Sequence, residues 1–290
     1  MELAVSPQPA LFGHAPPRQQ FLKWVGNKHR YSGRIADCMP AQFHAYIEPF
    51  VGSGAVLATV APSHGIAGDT LAPLVEIWRL LKTNPERLLD HYTRLWTEYV
   101  TRQKEIYERT RDSYNADPNG PDLLFLCRTC YGGVVRFTRS GSMSTPVGPH
   151  RAISPAALAE RMSIWRSRVQ HTEFLYADFQ ETMEMAGDGD VVYCDPPYLH
   201  SQSILYGSQD FVVARLWAAI EGCKARGARV LLSLDGMKKS GAVYTLTGAP
   251  DGLFEREILI DCGRSMLRRF QKRGETMTGE TVHDRLLLTW

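Results

Sequence analysis

Tyr46-Ile-Glu-Pro-Phe-Val-Gly-Ser-Gly54 is the stretch that decides the fold. An apolar run ends in an acid, passes through a glycine-rich turn and enters the apolar segment Ala55–Ala61, which reads as a helix. A strand that turns on glycines into a helix opens an α/β unit, and such units bind ligands at the carboxyl ends of their strands. Gly52 and Gly54 let the backbone pass close to a ligand, because a side chain there would collide with it. The third glycine of a dinucleotide fingerprint is missing, so a pyrophosphate is not the obvious ligand. A zwitterionic amino-acid tail on a nucleoside fits as well.

The alternation continues outward from this unit. Ala45–Phe50 is joined by β-like runs at Gly65–Asp69, Thr172–Asp178, Val191–Asp195, Arg229–Asp235, Phe254–Asp261 and Arg285–Trp290. Most are nearly continuous apolar runs, as in a sheet covered on both faces. Helical patterns lie between them at Leu74–Leu81, Pro85–Asn115, Pro155–Gln170 and Phe211–Arg226. Strands alternating with helices predict an α/β domain with a mostly parallel sheet. The last strand is expected to run reversed beside Phe254–Asp261. One region breaks the pattern. Asn84 to Arg151 holds a long polar helical stretch, then Tyr131-Gly-Gly-Val-Val-Arg-Phe-Thr-Arg-Ser-Gly-Ser-Met-Ser-Thr-Pro-Val-Gly148, whose Gly, Ser and Pro content reads as a hairpin or ordered loop. The expected organisation is a smaller, mainly helical insertion at 84–151 within a domain made of 21–83 and 152–290.

With 290 residues, 44% hydrophobic and 22% charged, the chain has the make-up of an ordinary globular protein with one large core, or one core and an appendage. No apolar run approaches the roughly 20 residues of a membrane helix. Met1–Gln20 carries Pro7, Pro9, Pro16 and Pro17 and no charged segment before an apolar one, so it reads as a loosely packed tail, not a signal peptide. A net charge of +2 does not point to nucleic acid by itself. Local clusters do suit phosphate: Arg128, Arg136, Arg139 and Arg151 around the glycine-rich stretch, and Arg264, Arg268, Arg269, Lys272 and Arg273 near the end. Taken alone, either cluster reads as a solvated face. The six cysteines are scattered, as expected of reduced thiols in a cytoplasm. Cys127-Arg-Thr-Cys130 has the spacing of a zinc half-site, but no second pair accompanies it, so two packed thiols and no metal are expected.

Two further segments carry chemistry. Gly68-Asp69 ends the second strand, where an acid can accept hydrogen bonds from both hydroxyls of a ribose. Asp190-Val-Val-Tyr-Cys-Asp195-Pro196-Pro197-Tyr198 is the most specific: an apolar strand delivers a carboxylate at its carboxyl end, and two prolines fix the backbone and remove two amide donors. The Asp195 carboxylate and the Pro196 carbonyl form an acceptor-rich corner, and Tyr198 can stack on a planar ring. That corner suits an aromatic amine, whose lone pair is delocalised into the ring. Two acceptors aimed at its N–H bonds favour the geometry in which the lone pair is free to attack a sulfonium methyl, a displacement governed by positioning.

At this point the chain resembles the Dam-like DNA adenine methyltransferases. Phe21-Leu-Lys-Trp-Val-Gly-Asn-Lys28 looks like the family's N-terminal cofactor segment, Glu48-Pro-Phe-Val-Gly-Ser-Gly54 like its cofactor loop, and Asp195-Pro-Pro-Tyr198 like its catalytic motif. Tyr176-Ala-Asp178, near the cofactor adenine in the family, and the Gly132–Gly148 loop are weaker echoes. The resemblance implies a Rossmann-like S-adenosylmethionine-dependent methyltransferase sheet with an inserted, mainly helical DNA-recognition domain carrying a hairpin. It implies that Asp195, Pro196, Pro197 and Tyr198 serve catalysis, and that Trp24, Lys28, Glu48, Phe50, Gly52, Gly54, Asp69, Asp178, Phe179 and Asp195 hold S-adenosylmethionine. Arg128, Arg136, Thr138, Arg139 and Ser140 would face double-stranded DNA, from which the target base must be rotated out. Members that methylate GATC carry other side chains between Arg136 and Pro146, so that specificity is not carried over. A cytoplasmic, DNA-associated protein of prokaryotic or phage type is expected. The rivals are a methyltransferase for RNA or a protein amide, and a DNA-binding relative without catalysis.

Overall fold

The computed structural model describes residues 15–197, 212–234, 249–264 and 281–290. Its seven strands form one sheet in the order β3-β2-β1-β4-β5-β7-β6. The strands are β1 (Tyr46–Glu48), β2 (Gly65–Asp69), β3 (Thr172–Tyr176), β4 (Val191–Cys194), β5 (Arg229–Leu234), β6 (Arg256–Arg264) and β7 (Thr281–Leu288). β3, β2, β1, β4 and β5 are parallel, whereas β7 runs antiparallel to both β5 and β6. The reversed last strand is therefore found where expected, and it also reaches β5. Every residue of β1 and β4 is buried, because helices cover both faces. Strand order reverses between β1 and β4, and a crevice opens at their carboxyl ends.

The helices are α1 (Ser32–Ala36), α2 (Ala55–Val60), α3 (Ala72–Thr83), α4 (Pro85–Tyr99), α5 (Gln103–Ala116), α6 (Gly120–Thr129), α7 (Pro155–Val169), α8 (Phe179–Glu184) and α9 (Val213–Ala225). The predicted helix Pro85–Asn115 is two helices, parted at Val100–Arg102. There Arg102 leaves the helical region with φ −124° and ψ 50°. α6 was not read from the sequence. It has the start signals, with the Asn119 side chain accepting from the Asp122 N–H and a proline in the first turn, but it is buried on all sides and so shows no amphipathic period.

Residues 130–148 form the expected hairpin. Cys130 pairs with Val147 and Phe137 with Met143, both antiparallel. Asn115 grips both the N–H and the carbonyl of Met143, and the Tyr107 hydroxyl donates to the Thr145 carbonyl, so α5 carries the hairpin. One continuous apolar core joins this region to the sheet: Tyr46, Val191 and Leu231 belong to the same cluster as Tyr92, Tyr107, Phe125 and Phe137.

The expectation of a loose tail through Gln20 fails for its last residues. The Gln19 carbonyl accepts from Trp165 Nε1 (2.8 Å), the Gln20 carbonyl from Arg161 (2.9 Å), and Pro17 O lies 2.7 Å from His29 Nε2. Backbone carbonyls outside helices and strands need donors, and these side chains supply them.

Candidate active site

The turn after β1 is shaped by two aromatic rings. Gly52 has φ +44°, and a Cβ there would lie 3.3 Å from the Trp24 ring; Trp78 Nε1 donates to the Gly52 carbonyl at 3.2 Å. Gly54 departs from its expected role. It sits at φ +61°, and its missing side chain makes room for Trp78, whose ring would be 2.8 Å from a Cβ. It therefore serves packing behind the turn and does not line the cavity in front of it.

That cavity, about 260 Å³, lies at the carboxyl ends of β1, β2 and β4. It brings together Trp24, Lys28, Glu48, Phe50, Gly52, Asp69, Asp178, Phe179, Asp195, Pro196 and Pro197, segments distant in the chain. Tyr198 lies outside the described residues, as do Arg268, Arg269, Lys272 and Arg273.

The floor of the cavity is a buried charge cluster. Lys28 Nζ lies 2.9 Å from Asp195 Oδ1 and 3.7 Å from Asp284 Oδ2. Tyr31 donates its hydroxyl to the same Asp284 oxygen at 2.6 Å. Burial alone would push the Lys28 pKa down, but the Asp195 carboxylate, with Tyr31, Tyr193 and Asp284, outweighs it and holds the ammonium charged. Glu48 responds the other way. Burial raises its pKa to about 8, the nearby Asp195 adds to the rise, and the hydrogen bond from the Tyr46 hydroxyl (2.6 Å) opposes it. Asp69 is raised by burial too, against N–H donors that include Gly52 and Leu71.

The far wall is built by α8 and α9. Asp178 caps α8, accepting from the Gln180 N–H while Glu181 reaches back to the Asp178 N–H in a capping box. Phe179 stacks on Phe50 with centroids 5.2 Å apart. Arg215 of α9 spans this wall, although nothing in the sequence marks it. Asp284 and Tyr31 were missed for the same reason: each is a single polar residue whose partner lies far along the chain.

The hairpin alternates as a strand pair should, with Val135 and Phe137 buried and Arg136 and Thr138 exposed. Arg139 and Ser140 are exposed at the tip, and the Thr138 and Ser140 hydroxyls are 2.8 Å apart. Arg128 does not join this face. Its Nη1 donates to the carbonyls of Phe21 (2.7 Å) and Gln20 (3.3 Å), and burial lowers its pKa to about 10. Cys127 and Cys130 are buried thiols, and among the described residues no three His, Cys, Asp or Glu side chains gather as a metal site requires. Among these residues no helix is long and apolar enough to cross a membrane.

A glycine turn after β1, an acid at the end of β2 and an Asp-Pro-Pro corner after β4, on a sheet of this order, define a Rossmann-like methyltransferase. The chain belongs to the D12 class of N6 adenine-specific DNA methyltransferases, whose family model matches residues 24–233. It is 28% identical over 281 residues to a DNA N-6-adenine-methyltransferase of Escherichia phage P1, covering 92% of this chain but 35% of the phage protein. It is 27% identical to a DNA adenine methylase of Vibrio cholerae, covering 62% of this chain and 65% of that one. A type II methyltransferase of Methanocaldococcus jannaschii is 28% identical over 73% of this chain and 83% of its own length. The chain thus spans less than two thirds of the first two relatives.

Proposed function

We propose that the protein transfers a methyl group from S-adenosylmethionine to the 6-amino group of adenine in double-stranded DNA. The observation that carries this reading is that Asp195, paired with Lys28, lines the same cavity as Glu48 and Asp69. The lining fits a nucleoside with an amino-acid tail. Gly52 offers bare backbone, Asp69 can accept from ribose hydroxyls, Asp178 from a base amine, and Phe50 and Phe179 offer flat apolar surface. When bound, S-adenosylmethionine supplies an electrophilic sulfonium methyl.

The chain's residues then do the positioning. Lys28 holds the Asp195 carboxylate in place, and this carboxylate and the Pro196 carbonyl accept the two N–H bonds of the target amine. The amine nitrogen so held would present its lone pair to that methyl, an N–C bond forming as the C–S bond breaks. The surplus N–H proton leaves toward Asp195. Tyr198 is proposed to stack on the extruded base. Residues 84–151 are proposed as the recognition region, with Arg136, Thr138, Arg139 and Ser140 on its DNA-facing hairpin.

The test is transfer of tritiated methyl to double-stranded DNA, followed by mapping of the modified base. Wild type is expected to label adenine at one short sequence, and Asp195→Ala to lose at least about 1,000-fold in rate. Label retained by Asp195→Ala would refute the mechanism. Label on RNA or on a protein amide, and none on DNA, would move the substrate.

A further inference from the structure

Arg215 lies in the first turn of α9, where the positive end of the helix dipole disfavours a cation. Its surroundings explain its presence. Nη2 donates to Asp178 Oδ1 at 2.8 Å, Nε donates to Gln180 Oε1 at 2.6 Å, and the guanidinium lies 5.1 Å from the centre of the Phe179 ring. All three partners belong to α8 and its cap. Asp178, Phe179 and Arg215 line the same cavity, and Phe179 stacks on Phe50 from the β1 turn.

The contact is a poor source of stability. The Arg215 side chain is 44% exposed and that of Asp178 is 32% exposed, so water screens the pair. It is a good source of geometry. A planar guanidinium that bonds through both Nε and Nη2 fixes direction in a way that an ammonium would not. An ionised carboxylate has about four acceptor positions. The Gln180 N–H and Arg215 Nη2 both bond Oδ1, so Oδ2 of this cavity-lining carboxylate keeps its acceptor capacity.

Resting on the cofactor reading above, we infer that Arg215 is a positioning residue for the cofactor's purine. It holds the Asp178 carboxylate toward the exocyclic 6-amino group and backs the Phe179 ring, and so makes the pocket select a 6-aminopurine nucleoside. Arginine at this place on α9 therefore sets which nucleoside is accepted, without touching the transferred methyl.

The test is calorimetric binding of S-adenosylhomocysteine and of the analogue with hydrogen in place of the 6-amino group. It is run on wild type, Arg215→Ala and Arg215→Lys, with thermal unfolding of each as a control. Wild type is expected to prefer the amino ligand by about tenfold, a hydrogen bond to a charged acceptor. Arg215→Ala is expected to lose most of that preference by binding the amino ligand more weakly while leaving the analogue nearly unchanged, and Arg215→Lys to fall between. Equal weakening of both ligands by Arg215→Ala, or an unchanged preference, would overturn the inference alone. Failure of the folded wild type to bind S-adenosylhomocysteine would overturn the cofactor reading and the inference with it.

Discussion

Glu48 is an acid 3% exposed, one strand away from a second carboxylate, and its titration ties the pocket to pH. Its pKa rises from an ordinary 4.5 to about 8 in the folded chain. The folded state therefore holds a proton that the unfolded state has already released between those values. Stability contributed by the protonated form is lost as pH rises through that window, and the full cost of burying the charge is present above it. Glu48→Gln keeps an acceptor for the Tyr46 hydroxyl and removes the titration. It is expected to leave unfolding free energy near wild type at pH 5 and to raise it by about 3 kcal/mol at pH 9. Urea unfolding at the two pH values checks this. An equal effect at both would mean that Glu48 is ionised throughout. At this scale the sequence was legible wherever a residue sat beside a glycine turn or proline corner. It was silent on Asp284 and Arg215, whose meaning comes from partners at Lys28 and Asp178.

Among the elements, Gly54 of the β1 turn and Gly141 of the hairpin both have positive φ, and the two should respond differently. At Gly54 an added methyl would strike the Trp78 ring, so Gly54→Ala is expected to cost about 3 kcal/mol and to displace the turn. At Gly141, φ +82° with open space around it, alanine carries only the backbone strain, about 1 kcal/mol. Thermal unfolding of the two variants compares them, and similar losses would show that Trp78 yields easily. The strands were legible because a doubly covered sheet needs unbroken apolar runs, and their ends agree with the reading within a few residues. Less legible were elements defined by context. α6 hides its period by being buried all round, and the Val100–Arg102 break carries no proline or glycine to announce it. Gly54 looked like a ligand-facing glycine because spacing alone cannot tell which side of a turn a tryptophan occupies.

For the whole molecule, the telling feature is the segment before Phe21, which looked like the end of a tail. Arg128 from α6 and Arg161 from α7 close on the carbonyls of Gln20 and Phe21, and among the described residues no carboxylate pairs with Arg128. The segment leads directly to Trp24 and Lys28. Arg128→Ala leaves the Phe21 carbonyl short of a donor, so it is expected to speed amide exchange over residues 20–24 while the sheet stays protected. It should also weaken S-adenosylhomocysteine binding by about tenfold. Unchanged exchange there would show that the surrounding apolar contacts suffice. The sequence could not reveal this pinning, because it joins residues more than 100 positions apart.

Those long spans have a kinetic meaning. The carbonyls of Gln19, Gln20 and Phe21 find their donors only after α6 and α7 have docked, across separations of 146, 141 and 107 residues. Closing such loops is entropically costly and gains little until the partners are in place. The sheet closes loops just as long, pairing Tyr46 with Val191 and Gly65 with Thr172, so during refolding amide protection of the sheet and capture of a ligand should appear in the same slow phase. Competence to bind is thus expected to arrive with the sheet, and a capture phase slower than sheet protection would show that the carbonyls of Gln19, Gln20 and Phe21 are pinned last.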